Sequence, residues 1–182
     1  MLHNFELTDA ISRLPEIQYE GRVFRVTGQS VDPLAPSGSG GRWAFPLASD
    51  GGCSVLYTSL SWDGAIAEVA SYLALSNPMP SRPLHLHRLD VTAQKALRLT
   101  MAELEKLGIS RTDYQERNYV RSREIGAALN FLGFDGLLVP SARWDCENLI
   151  IFTENHGLSQ KLDKVDFEEI DWQKWASING LL

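Results

Sequence analysis

Four polar residues stand in apolar or glycine-rich settings: Arg42 in GGRW, Tyr57 in SVLYTS, Glu68 in GAIAEVA and Ser141 in LLVPSAR. A guanidinium pairs bidentately with phosphate oxygens. A tyrosine offers an aromatic face for a heterocycle and a hydroxyl for a sugar. A carboxylate stabilises positive charge that develops beside it, and a hydroxyl can hold an amide or a phosphate. Together these types suit a charged dinucleotide, with arginine on the pyrophosphate and carboxylate beside the ribose. Each residue also has a plainer reading. Glu68 could be a solvated helix glutamate, Arg42 a loop arginine in a surface ion pair, Tyr57 a core tyrosine, and Ser141 a turn serine bonding its own backbone.

The elements that must position these residues can be read from period and punctuation. RVFRVT (22–27) reads as a first strand, followed by the turn-rich loop GQSVDPLAPSGSGG, which delivers Arg42. Residues 54–59 read as a strand in which alternation puts Val55 and Tyr57 on one face and Leu56 on the other. Ser61 is an N-cap candidate, after which Trp62, Ala65, Ile66, Val69 and Leu73 make an apolar stripe at helical spacing with Glu68 at its edge. PLHLHRLDV reads as a strand, and Thr100 with Glu103 as a capping box before a short helix ending near Gly108. Residues 113–132 read as one longer helix, and GLLVPS and NLIIFT as buried strands that present Ser141 at a strand end. Trp172 and Trp175 read as packing residues of a final helix. The pattern is α+β, as one mixed domain over 1–182, and the strand order does not follow from it.

Composition narrows the function classes. A net charge of −6 and a pI near 5.2 argue against a broadly basic nucleic-acid surface but allow a compact anionic ligand held by a few arginines. No apolar run reaches the roughly 18 residues of a membrane span, and the N-terminus does not read as a secretory signal, so a cytoplasmic location is expected. Cys53 and Cys146 lie in no CxxC spacing and are expected to be reduced. His85 and His87 alternate on a strand and point the same way, yet no acidic or cysteine ligand sits at a supporting spacing; no metal is expected. GSGGRW lacks the strand-to-helix context of a Rossmann or P-loop phosphate site.

The segments GRVFRV, GGRWAFP, VLYTSLSWDGAIAEV and FDGLLVPSARWDCENLIIF, in that order over residues 21–153, resemble the RES domain family, named for its Arg, Glu and Ser positions. The resemblance implies a fold similar to the ADP-ribosyltransferase toxins and an enzyme that degrades NAD by hydrolysis or phosphorolysis, with protein mono-ADP-ribosylation as its close variant. A noncatalytic binding module retaining the fold is the alternative from another class. NAD is then a substrate and no cofactor is expected. Carried over by motif, Glu68, Arg42 and Tyr57 match catalytic positions, and Arg25, Arg42, Tyr57 and Ser141 match positions that contact NAD; Arg25, in a half-buried strand, is as readily an ion-pair partner. The resemblance further implies the toxin of a toxin–antitoxin pair, blocked by an Xre-like helix-turn-helix antitoxin, with the toxin a homodimer in that complex.

Overall fold

The computed structural model describes residues 4–182. In chain order its elements are α1 (Phe5–Ser12), β1 (Glu16–Thr27), β2 (Val55–Ser59), α2 (Trp62–Leu73), β3 (Leu84–Arg98), α3 (Met101–Lys106), α4 (Arg111–Gln115), α5 (Val120–Phe131), β4 (Gly136–Pro140), β5 (Glu147–Phe152), β6 (Leu162–Ile170) and α6 (Trp172–Ile178). The sheet order is β1-β2-β5-β4-β3-β6, and β1 also pairs with β3 along the interval from Glu16↔Leu97 to Thr27↔His85. That extra pairing closes five strands into a β-barrel and leaves β6 attached outside it on β3. One seam is thin, since β1 and β2 share only the register pair Phe24↔Ser59. The two strands therefore part on either side of it.

Side-chain alternation gives the barrel two apolar surfaces. Val23, Leu56, Leu89, Leu138, Leu149 and Ile151, drawn from all five ring strands, pack together inside. The opposite parity of β2, β4 and β5 (Val55, Leu137, Val139, Ile150 and Phe152) packs outward against α1, α3 and α5 through Ile11, Leu104, Ile125 and Leu129. The division of Val55 and Tyr57 from Leu56 is thus as expected. On the other flank, Ile66 and Ala70 of α2 and Trp172 and Ala176 of α6 cover Leu86 and Ile170.

Local signals set the helix starts. Ser61 accepts from the Gly64 amide at 3.3 Å to begin α2, and the Thr100/Glu103 capping box begins α3. β4 and β5 fall where the two apolar runs stand, and Ser141 follows the end of β4. Other expectations are corrected. Residues 113–132 are two helices, because the chain becomes extended at Glu116 (φ −74°, ψ −179°) and turns through 117–119 before α5 begins. β1 starts six residues earlier than expected, at Glu16 instead of Arg22, and β3 runs on to Arg98, since each satisfies the other's backbone groups over that length. Of the expected apolar stripe of α2, Ala65 and Ile66 are buried, but Trp62 is 42% exposed, and Ala67 and Ala70 join the buried face. The acidic stretch before the last helix, for which the sequence gives no strand signal, forms β6, paired to β3 from Leu84↔Ile170 to Val91↔Leu162. No helix among the described residues is long and apolar enough to cross a membrane.

Candidate active site

Where β1 and β2 part, a cavity of about 480 Å³ opens, within the size range of small-molecule sites. β1 contributes Phe24, Arg25 and Val26, β2 contributes Tyr57, Thr58 and Ser59, and α2 contributes Glu68. Arg25, Arg42, Arg117 and Arg143 line it, and Glu68 is the one acidic residue that does. A protein of net charge −6 thus concentrates cationic side chains around a single carboxylate.

Glu68 is held from behind. Its Oε1 accepts from Ser141 Oγ at 2.7 Å and from Asn148 Nδ2 at 2.8 Å. Ser141 Oγ in turn accepts from the Arg143 and Trp144 amides at 3.1 and 3.2 Å, an ST-type turn just past β4. The turn-serine reading therefore holds, and the same hydroxyl donates to the carboxylate. Ser141 is absent from the cavity lining, its hydroxyl lying against Glu68. Asn148, at the start of β5 opposite Ser59 of β2, does line the cavity. No bond from the described residues engages Oε2 of Glu68, which leaves that oxygen for a ligand.

Arg42 arrives on the irregular loop between β1 and β2. Gly40 takes φ +80°, a conformation that favours glycine, and the Gly41 amide bonds the Ala44 carbonyl at 2.9 Å to close the turn. Gly126 of α5 packs so tightly against the Trp43 carbonyl that a Cβ there would overlap it, which sets the depth of the loop. The guanidinium then lies 4.7 Å from the ring centres of both Tyr114 and Tyr119, a double cation–π contact, and Nη2 donates to the Glu116 carbonyl at 3.3 Å. Burial lowers its pKa, with the neighbouring Arg143 charge acting in the same direction and Tyr114, Tyr119 and Glu68 opposing. Among the described residues no carboxylate lies within ion-pair distance of Arg42, and its Nη1 is buried without a partner. The surface ion-pair reading is therefore excluded.

Tyr57 and Arg25 complete the walls. The Tyr57 hydroxyl accepts from the Trp43 amide at 3.2 Å, and burial raises its pKa to about 12, against the lowering effect of that bond. It stays a protonated phenol near neutral pH. Part of its ring packs on the outer core while the side chain also lines the cavity, so the core and site readings coexist. Arg25 lines the cavity from β1 with Nη1 buried and unpartnered, and its pKa is lowered by burial. Buried polar atoms are normally satisfied. Of the five orphaned side-chain atoms among the described residues, three belong to this cavity: Arg25 Nη1, Arg42 Nη1 and Asn148 Oδ1.

His85 and His87 do share a face, with ring centroids 5.9 Å apart, but both pack on Phe167, and His87 Nε2 lies 2.9 Å from Thr27 Oγ1. No group of three or more His, Cys, Asp or Glu able to hold a metal occurs among the described residues. Cys53 and Cys146 are unbonded to each other, and Cys146 Sγ sits 3.4 Å from Ser59 Oγ. Of the residues expected at the site from sequence, Arg25, Arg42, Tyr57 and Glu68 line one cavity, and Ser141, expected to contact NAD, stands behind Glu68. Sequence reasoning missed Asn148, Tyr114, Tyr119, Arg117 and Arg143. Asn148 is the one with a local signal, an amide opening an apolar strand.

Comparison with known proteins places this geometry. The model of the RES domain matches residues 22–173. Over 144 residues the chain is 28% identical to the NAD(+) phosphorylase MbcT of Mycobacterium bovis and to that of Mycobacterium tuberculosis, covering 75% of this chain and 75% of each relative. A chain in the crystal structure of the M. tuberculosis MbcT–MbcA toxin–antitoxin complex superposes with a TM-score of 0.83, covering 97% of this chain and 98% of that one at 23% identity. At that identity the likeness is one of fold.

Proposed function

The chain belongs to the RES domain family, and from that premise we propose that it is a toxin-like enzyme that cleaves the nicotinamide–ribose bond of NAD, by phosphorolysis or hydrolysis, and that a cognate antitoxin neutralises it. The 28% identical relatives are NAD(+) phosphorylases, and the superposed solved fold comes from a toxin–antitoxin complex. The observation that carries the reading is the cavity itself: four arginines around one anchored carboxylate, with orphaned buried donors on Arg25 and Arg42. A buried guanidinium donor without an acceptor costs free energy, and a pyrophosphate supplies oxygen acceptors of the right charge for the planar fork to pair with bidentately.

The proposed roles follow from the geometry. Arg42 and Arg25 take the phosphates. Tyr57 offers its ring edge and free O–H to the nicotinamide half. The glycosidic C1′–N bond breaks through an oxocarbenium-like transition state, as in glycoside cleavage; the pair of electrons leaves with nicotinamide, which departs neutral, and the ribose cation lies beside Glu68. Ser141 and Asn148 fix Glu68 Oε1, so Oε2 is aimed without reorganisation at the moment charge develops. Phosphate or water then adds to C1′, water losing a proton as it does so. NAD is consumed as a substrate, with no cofactor in the scheme.

The finer points belong to the same proposal. They are an Xre-like helix-turn-helix antitoxin, a homodimeric toxin within the complex, a cytoplasmic site of action where NAD is available, a single functional domain over 1–182, and kinship of this split barrel with the ADP-ribosyltransferase toxins. The test is product formation from NAD by mass spectrometry, with purified protein and Glu68→Ala, with and without phosphate, and with lysate to supply protein acceptors. Nicotinamide release by the wild type alone supports the enzyme, and phosphorylated ADP-ribose, free ADP-ribose or labelled protein names the acceptor. No release under any condition leaves a binding module.

A further inference from the structure

Asn148 has both ends of its amide committed to the site, and only one of them has a partner. A carboxylate can only accept hydrogen bonds, so the end facing Glu68 Oε1 at 2.8 Å must be the NH₂ group. The orientation of the amide is therefore settled by chemistry, and Oδ1 points elsewhere. That oxygen is buried and accepts no hydrogen bond, although the residue lines the cavity. The backbone around it is fully used: Asn148 pairs with Ser59 of β2 and Val139 of β4 in the middle of the sheet. The side chain is thus held on a rigid element with an orphaned acceptor next to a carboxylate whose own second oxygen is unengaged.

Two unengaged acceptors, one charged and one neutral, on side chains joined by a single hydrogen bond, match a pair of adjacent hydroxyl donors. We propose that Asn148 is a specificity-determining residue that reads the vicinal diol of the nicotinamide ribose, its Oδ1 accepting from one hydroxyl while Glu68 Oε2 accepts from the neighbouring one. The inference rests on the NAD-cleaving reading and deepens it by naming the sugar feature the site selects. The other orphaned cavity atoms, on Arg25 and Arg42, are donors and cannot do this. Ser141 cannot either, because its proton already goes to Glu68. Leaving a buried acceptor unpaired when the substrate lacks the hydroxyl is what makes such a site reject the deoxy analogue.

The test is a cycle between protein and substrate. kcat/KM for nicotinamide release is measured with NAD and with its 2′-deoxy and 3′-deoxy analogues in the nicotinamide ribose, using the wild type, Asn148→Ala and Asn148→Ser. The wild type is expected to favour NAD over at least one analogue by about tenfold or more, and in the Asn148 variants that preference shrinks by about tenfold. A lowered rate with an unchanged preference for both hydroxyls means that Asn148 only steadies Glu68, and overturns the proposal. Ser141→Ala is the comparison: it loosens the same carboxylate but keeps Oδ1, so its preference among the three substrates stays that of the wild type, and a change there as large as in the Asn148 variants also overturns it. If the wild type releases no nicotinamide, the NAD-cleaving reading fails by itself. The same comparison is then made on dissociation constants, where selectivity lost in the Asn148 variants supports the ribose contact, and unchanged selectivity or no binding of NAD overturns it.

Discussion

Ser141→Ala separates a residue that positions the carboxylate from one that binds substrate. The substitution removes the 2.7 Å bond from Ser141 Oγ to Glu68 Oε1 and the acceptor for the Arg143 and Trp144 amides. A hydrogen bond to a charged group contributes about 1.5–3 kcal/mol, which corresponds to about 10- to 150-fold in rate if all of it is expressed in the transition state. Asn148 still donates to the same oxygen, so the lower end, about tenfold, is expected in kcat. Because Ser141 does not line the cavity, KM for NAD should stay close to that of the wild type. The two amides that lose their acceptor cost about 1 kcal/mol each in stability, readable as a lower Tm. Steady-state nicotinamide release over a range of NAD concentrations gives both constants. A raised KM with kcat retained would refute the reasoning, since it would mean that the hydroxyl meets the substrate and that Asn148 alone holds Glu68.

Arg42→Lys keeps the charge but loses the planar fork set against the rings of Tyr114 and Tyr119; KM for NAD should rise about tenfold or more, and an unchanged KM in the same assay would remove Arg42 from the phosphate site. Gly126→Ala drives a methyl group into the Trp43 carbonyl, so it should lower stability by about 1–3 kcal/mol and weaken NAD binding by displacing the Arg42 loop. Chemical denaturation and binding titration check the two effects, and full stability in the variant would show that α5 and the loop are not in close contact. His87 is pushed down to about 4, by burial first and then by the charges of Lys164, His85 and Arg25, with Asp32 opposing, whereas an unfolded histidine titrates near pH 6.5. Between those values the unfolded chain holds the extra proton, so this contribution is full above about pH 6.5 and is lost as pH falls toward 4, by up to about 1.4 kcal/mol per pH unit. The stability gap between the wild type and His87→Gln should therefore narrow from pH 7 to 4.5 in thermal melts, and a gap that does not change with pH would contradict the assignment.

Features that depend on residues close together in the chain are legible in the sequence alone. The Thr100/Glu103 capping box and the Ser61 cap are each closed within a single helical turn. The alternation of Val55, Leu56 and Tyr57 needs only the period of a strand, and the order of the Arg, Tyr, Glu and Ser motifs is enough to indicate the family. Barrel closure is out of reach of such reasoning, because β1 and β3 meet across long stretches of sequence, as at Thr27↔His85 and Glu16↔Leu97, and nothing local in either strand names its partner. β6 escapes for the same reason: an exposed acidic run becomes a strand only because β3 leaves an edge free beside it. The break at Glu116 that splits α4 from α5 brings the rings of both Tyr114 and Tyr119 to 4.7 Å from one guanidinium, a tertiary requirement that overrides helical propensity. The sequence by itself thus singled out the groups proposed to carry the chemistry. Only the tertiary structure decided that Glu68 is aimed by Ser141 and Asn148, since hydrogen bonds between residues 73 and 80 positions apart exist only once the barrel has closed.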